Sequence, residues 1–230
     1  MNDPANIQQI DKLIAECCSP RWRELLEENK ETIEYSKGRH IFKEEQEAKR
    51  IKIIIKGKAK VFLTYKTGRE QIVRLATNGQ IVGHRGFGGD HYYSVSCKTL
   101  VDTTVAHIPL ELFQEALMEN NLFCYRFMMF FAEELRASEH HLKNFTNLDV
   151  RQRMAEALLY NLKTFGYDRK RKKVLSYTLS RKDFSSLVGA TYESVVRALS
   201  DFDKNGIIQI INKDIKILKS RELEKIMKGN

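Results

Sequence analysis

The chain has 230 residues, 42% of them hydrophobic and 30% charged, the balance of a folded globular protein with one large or two ordinary domains rather than a disordered one. No apolar run is long enough to cross a bilayer, and Met1, Asn2, Asp3 and Pro4 lack the basic start and hydrophobic stretch of a secretion signal, so the expected compartment is the cytoplasm, with no membrane partner. The net charge of +9 is unevenly placed: residues 149 to 230 carry 18 Lys and Arg against 10 Asp and Glu, leaving 21 against 20 for residues 1 to 148, and a basic segment on a nearly neutral body suits a polyanion such as nucleic acid.

Residues 7 to 34 read as short helices, with Ile10, Leu13 and Ile14, then Trp22, Leu25 and Leu26, at helical spacing. From Glu34 to about Pro109 the pattern changes to short β-rich runs. These are Ile51 to Ile55, Val61 to Tyr65, Gln71 to Leu75, Ser94 to Lys98 and Thr103 to Ile108, divided by turns at Lys56-Gly57-Lys58, Lys66-Thr67-Gly68 and Asn78-Gly79. Many short strands at this spacing predict a barrel or sandwich such as a double-stranded jelly roll. Cys17, Cys18, Cys97 and Cys124 form no Cys-x-x-Cys pair and have no His at ligand spacing, so reduced thiols are expected, with no metal and no cofactor.

After Pro109, which suits a first helical turn, the pattern is helical to about Asn144. Cys124, Met128, Phe131, Leu135, Ser138, Leu142 and Phe145 follow alternating spacings of 4 and 3, one continuous heptad seam. The seam either lies on the chain's own barrel or meets a second copy. Phe123, Phe127 and Phe130 already supply an apolar face for the barrel, which favours the homodimer. From Asp149 come a helix over Val150 to Phe165 stopped at Gly166, a basic loop from Arg169 to Lys173, and two further helices. An alternating run from Ile207 to Leu218, broken at Asn212-Lys213-Asp214, and a short helix around Leu223 to Met227 complete the chain. The expected organisation is α+β: a sensor barrel over 1 to 115, a dimerisation helix over 116 to 148 and a winged helix-turn-helix over 149 to 230.

The stretch from Ser180 to Leu199 carries the sharpest signal. Ser180 with Asp183 makes a capping start, Phe184, Leu187 and Val188 an inward face, and Gly189 permits a tight turn. Thr191 caps a second helix that packs back through Val195, Ala198 and Leu199, while small Ser185 lets the two helices approach. That is a helix-turn-helix, whose second helix enters the major groove by its N-terminal residues. Tyr192, Glu193, Val196 and Arg197 then face outward, and Arg181 joins them as a candidate DNA contact. Glu193 can accept from a cytosine amine and Arg197 can fork onto guanine. Alternatively the two form an ordinary pair four residues apart on a solvated helix.

The segment from Asp149 to Leu159, the motif from Leu187 to Arg197 and Lys204-Asn-Gly-Ile-Ile before the hairpin resemble the Crp/Fnr family of transcription regulators. Lys56-Gly-Lys, the run from Asn78 to Gly83 and the seam helix extend the likeness over essentially the whole chain. The resemblance implies a homodimer reading double-stranded DNA through Glu193 and Arg197, phosphate contacts from Lys182, Thr191 and the wing residue Lys213, and RNA polymerase as a partner. In its cyclic-AMP-binding relatives the phosphate cassette carries Gly-Glu followed by Arg-Ser. Here Gly83-His84 and Tyr93-Ser94 stand at those places, so the carboxylate and guanidinium are both missing, and Arg85 is the remaining candidate for an anion contact. Ser138 and Glu139 align with the pair that contacts adenine. His84 and His91 read as surface residues rather than metal ligands. The effector is left unidentified. No motif of an enzyme is present, and the competing function is a cyclic-nucleotide-responsive interaction module without specific DNA binding.

Overall fold

The computed structural model describes residues 9 to 229; the readings placed on Met1 to Pro4 and on residues 7 and 8 lie outside them. The described residues form two compact units, one of those up to 64 together with 73–137, the other of 65–72 together with those from 138 on.

In the first unit, α1 (Ile10–Cys17) and α2 (Pro20–Glu28) are separated by Ser19, whose hydroxyl caps α2 by accepting from the Trp22 amide, with Pro20 in the first turn. The helical reading to residue 34 runs too far. Glu31–Tyr35 is strand β1, because Thr32, Ile33 and Tyr35 suit a pleated surface and pair along the last strand of the barrel. The other strands are β2 (His40–Phe42), β3 (Arg50–Lys56), β4 (Lys58–Thr64), β5 (Glu70–Thr77), β6 (Ile81–Val82), β7 (Ser96–Thr99) and β8 (Thr103–Pro109). They form two four-stranded sheets, ordered β1-β8-β3-β6 and β2-β7-β4-β5, the double-sheet architecture expected from the strand spacing. Strand β2, three residues long, is too short to leave a pattern in the sequence.

Alternation along β3 and β8 assigns each side chain to a face. Ile51 and Ile53 on β3, with Ala106 and Ile108 on β8, pack outward against Ile10, Leu13, Trp22 and Leu26 of the helices. Ile54 and Val105 point the other way, into a core with Phe42, Val61, Tyr93 and Cys97.

Helix α3 (Leu110–Glu119) starts after Pro109, which sits at its N-cap rather than inside its first turn. Asn120 then breaks the helical run, its amide donating to Ala116 O at 2.7 Å and its carbonyl accepting from Ser19 N at 2.8 Å. The long helix α4 is therefore Asn121–Asn147, starting five residues later than expected, and it is not a separate module: residues to 137 belong to the first unit and the rest to the second. Phe123, Phe127 and Phe130 are buried in the helix-side core as the sequence requires.

The second unit holds α5 (Val150–Phe165), started by a reciprocal capping box between Asp149 and Gln152 and stopped at Gly166. Next come α6 (Arg181–Val188), α7 (Tyr192–Lys204), the hairpin β9 (Ile208–Ile211) and β10 (Asp214–Ile217), and α8 (Ser220–Lys228). Its core gathers Met154, Leu158, Leu175, Phe184, Val195, Leu199, Phe202, Ile215 and Leu223, all buried.

Candidate nucleic-acid interface and sensor cavity

Helix α6 begins at Ser180, whose Oγ accepts from the Asp183 amide at 3.0 Å and donates to its carboxylate at 2.6 Å. It ends at Gly189 in the left-handed region (φ 62°), where a Cβ would stand 1.9 Å from the Phe145 ring, so glycine is required by both conformation and space. Thr191 caps α7 by accepting from Ser194 N at 3.2 Å. Ser185 is more than a spacer, since its hydroxyl donates to Ala190 O at 2.6 Å and ties the turn to α6.

Burial of Phe184, Leu187 and Val188 on α6 and of Val195, Ala198, Leu199 and Phe202 on α7 fixes the rotation of both helices. Tyr192, Glu193, Val196 and Arg197 are left exposed on the outer face of α7. The side chains of Glu193 and Arg197 have no hydrogen bond or ion pair among the described residues, so the ordinary surface pair is not formed and both heads are open to a ligand. Lys182 and Thr191 are exposed near the start of each helix, and Arg181 is half-buried. Lys213 is exposed at the tip of the hairpin beside Asn212 (φ 55°). In the basic loop Arg171 is tied to Asp168 at 3.2 Å and to Asp214 at 2.5 Å, which anchors the loop to the hairpin.

Arg153 is a residue to which the sequence attached no role. Its Nε donates to Val188 O at 2.9 Å, its Nη1 donates to Leu148 O at 2.6 Å, and the guanidinium lies 5.2 Å over the Phe145 ring. It therefore fixes the end of α4 to the turn of the motif. Arg151 pairs with Asp201 at 2.9 Å, beside an open groove that Arg197 also lines.

In the barrel, Gly83 takes φ 79° and starts a 3-10 turn over His84–Phe87; a Cβ there would meet Tyr93 at 2.8 Å. Tyr93 is buried, stacks on Phe42 at 4.1 Å and receives a 2.5 Å hydrogen bond from Lys52 Nζ, whose burial lowers its pKa to about 8. The remaining cavity, lined by Arg74, Gly83, His84, Arg85, Tyr93, Ser94 and neighbouring apolar groups, measures about 10 Å³, the room of one water.

His84 is not a surface residue. It is 3% exposed, with its ring edge against Phe130 and Phe131, whereas His91 is exposed. The sequence carried no signal for its partner, the buried Glu134 of α4, whose carboxylate lies 3.6 Å from His84, 3.4 Å from Arg74 and 3.9 Å from Arg85. Burial lowers the His84 pKa to about 4. Burial pushes Glu134 upward, but its three basic neighbours outweigh that and hold it at about 2. Ser138 and Glu139 are exposed on α4 and do not line the cavity.

The model of the cyclic nucleotide-binding domain matches residues 32–120, and that of the Crp-like helix-turn-helix domain matches residues 152–226. The chain is 27% identical over 188 residues to the fumarate and nitrate reduction regulatory protein of Vibrio cholerae, covering 81% of this chain and 74% of that one. It is 24% identical over 191 residues to the CRP-like cAMP-activated global transcriptional regulator of Mycobacterium tuberculosis, covering 83% and 85%. The chain belongs to the Crp/Fnr family. Its fold is that of FixK2 from Bradyrhizobium japonicum, with a TM-score of 0.76, 21% identity and coverage of 86% and 96%. As a Crp/Fnr protein it is a DNA-binding transcription regulator, and the reading without DNA binding is set aside.

Of the seven seam residues five are exposed and two, Phe131 and Phe145, are half-buried. Met128, Leu135 and Leu142, at heptad spacing in the sequence, are 58%, 62% and 68% exposed, with Cys124 and Ser138 also exposed. Phe131 packs on the helix-side core, and Phe145 lies over Gly189. Among the described residues no helix is long and apolar enough to cross a membrane.

Proposed function

We propose that the protein acts in the cytoplasm as a homodimer that binds an inverted-repeat promoter site and works with RNA polymerase, under control of an effector sensed by the barrel. The open pair Glu193 and Arg197 on a helix whose opposite face is locked into the core carries this reading. Arg197 forks onto a guanine, Glu193 accepts from a cytosine amine, Val196 offers contact to a thymine methyl, and Tyr192 reaches a base or a phosphate. Lys182, Thr191, Lys213 and the half-buried Arg181 hold the phosphate backbone and set the register. The stripe Met128, Leu135, Leu142 joins two copies, so each molecule presents two recognition helices.

No tight binding of cyclic AMP is expected. Tyr93 and His84 stand where cyclic-AMP-binding relatives carry the phosphate-binding guanidinium and the ribose-binding carboxylate, and the cavity beside them measures about 10 Å³. Gel shifts of the full chain over a salt series test DNA binding itself. The expected affinity falls steeply and linearly on a logarithmic salt scale, and binding that ignores salt would contradict it.

A further inference from the structure

Helix α6 is tied to a strand outside the helix-turn-helix. Strand β5 stands last in the order of its sheet, β2-β7-β4-β5, so among the described residues one of its edges has no neighbouring strand. Its first residues, Glu70 to Ile72, belong to the second unit, and Val73 to Thr77 continue into the first. Backbone groups two residues apart in a strand point to the same edge, so Glu70 O and Ile72 N–H face the same way. The Ser186 hydroxyl meets both, accepting from Ile72 N at 3.1 Å and donating to Glu70 O at 2.9 Å. One side chain thereby covers this edge as the peptide of a further strand would. A serine inside a helix ordinarily turns its hydroxyl back to a carbonyl of its own helix, whereas Ser186 directs both of these bonds to the strand.

Gln71 adds a second tie. Its Nε2 donates to Leu187 O at 3.2 Å, one of the last carbonyls of α6, which the helix itself cannot bond. The next carbonyl, Val188 O, is the one that Arg153 takes. The end of α6 is thus held from two sides, by α5 and by β5. Gln71 and Ser186 are 6% and 7% exposed and the Ile72 side chain is fully buried, so water competes little for these bonds.

We propose that Ser186 and Gln71 are positioning residues for DNA reading: they latch α6 to strand β5, and closure of the latch and binding of DNA by α7 favour each other. Helix α7 can read bases only from the angle at which α6 and the turn hold it, and Gln71 and Arg153 fix the two carbonyls that lead into that turn. By linkage, whatever factor the closed latch adds to DNA affinity, bound DNA returns to the closed latch. The inference deepens the reading of α7 as the recognition helix and rests on it; it requires no effector.

Two measurements on the full-length protein test the latch together. One is affinity for the duplex that the protein enriches from a random pool, and the other is amide hydrogen exchange across Glu70 to Ile72 with and without that duplex. Ser186→Ala is expected to lower affinity about fivefold or more, and Gln71→Ala to act in the same direction. In the wild type, bound DNA is expected to slow exchange across the strand by a comparable factor, which a bond serving stability only would not show. In Ser186→Ala the strand should exchange faster, with the effect of DNA lost. Should Ser186→Ala fail to fold, Gln71→Ala, which leaves the hydroxyl in place, carries the test by both readouts. Arg197→Ala is the control, expected to weaken DNA binding while exchange in the free protein stays as in the wild type. Unchanged affinity in the folded variants, or exchange indifferent to DNA, would overturn the latch. Failure of the reading beneath it looks different: the wild type would then enrich no duplex at all, and the latch would fall with it.

Discussion

Arg197 and Lys213 are both exposed basic residues of the second unit, yet they differ in what surrounds them. Arg197 projects from the outer face of a helix fixed by Val195 and Leu199, while Lys213 sits at the tip of a hairpin. A planar fork on a rigid element reads guanine; a point charge on a turn meets phosphate. Arg197→Ala is therefore expected to cost about 1 to 3 kcal/mol per half-site and to relax preference at one G·C pair. Lys213→Ala should weaken all sequences alike and reduce the salt slope. Binding measured on matched and mismatched duplexes checks both, and equal losses on all duplexes for Arg197→Ala would make it a phosphate contact. At the same scale, His84 and Glu134 set an acid limit. His84 has its pKa lowered from 6.5 to about 4 and Glu134 from 4.5 to about 2, so in both cases the unfolded chain binds the proton first. Stability is thus expected to fall as pH drops from about 6.5 toward 4 through His84, and further below 4.5 through Glu134. His107, lowered to about 4 mainly by burial, acts in the same direction. Denaturant unfolding across this range should show a shallower acid loss for His84→Gln, and an unchanged slope would remove His84 from the account.

Among the elements, α4 is where the sequence was only half legible. A heptad pattern shows which residues share a stripe but not which of its edges turns inward, and aromatic rings at the edges are drawn to the nearest core. Phe131 and Phe145 went that way, leaving Met128, Leu135 and Leu142 as the stripe. Charging Leu135 and Leu142 together to Glu is expected to give folded monomers in sedimentation. DNA affinity should fall by about a hundredfold or more, because the two half-sites are no longer bound by one molecule. A dimer of unchanged mass would refute the stripe. The turn of the motif was fully legible, since Ser180, Gly189 and Thr191 act through their immediate neighbours. What the sequence could not give was the long-range partner, the Phe145 ring over Gly189. Gly189→Ala should lower the stability of the second unit by about 2 kcal/mol or more through positive φ and the displaced ring. Gly189→Asn tolerates the backbone but brings the same Cβ, so it should recover little in thermal unfolding; full recovery would mean that the ring contact is immaterial.

For the whole molecule, the charge asymmetry, the strand spacing and the helix-turn-helix together were enough to establish the architecture, because each depends on local pattern and composition. The sensor was less legible. Tyr93 and His84 could be seen to replace a guanidinium and a carboxylate, but Glu134 lies 50 residues from His84 in the chain, and nothing local marks a lone Glu as buried. The central claim is that two identical recognition helices read one symmetric site, and selection of preferred DNA from a random pool by the full-length protein tests it most directly. The expected product is an inverted repeat with a G·C pair in each half and half-sites about one helical turn, roughly 10 base pairs, apart centre to centre, with that preference lost in Arg197→Ala. Enrichment of no sequence, or of an unsymmetric site unaffected by Arg197→Ala, would contradict it.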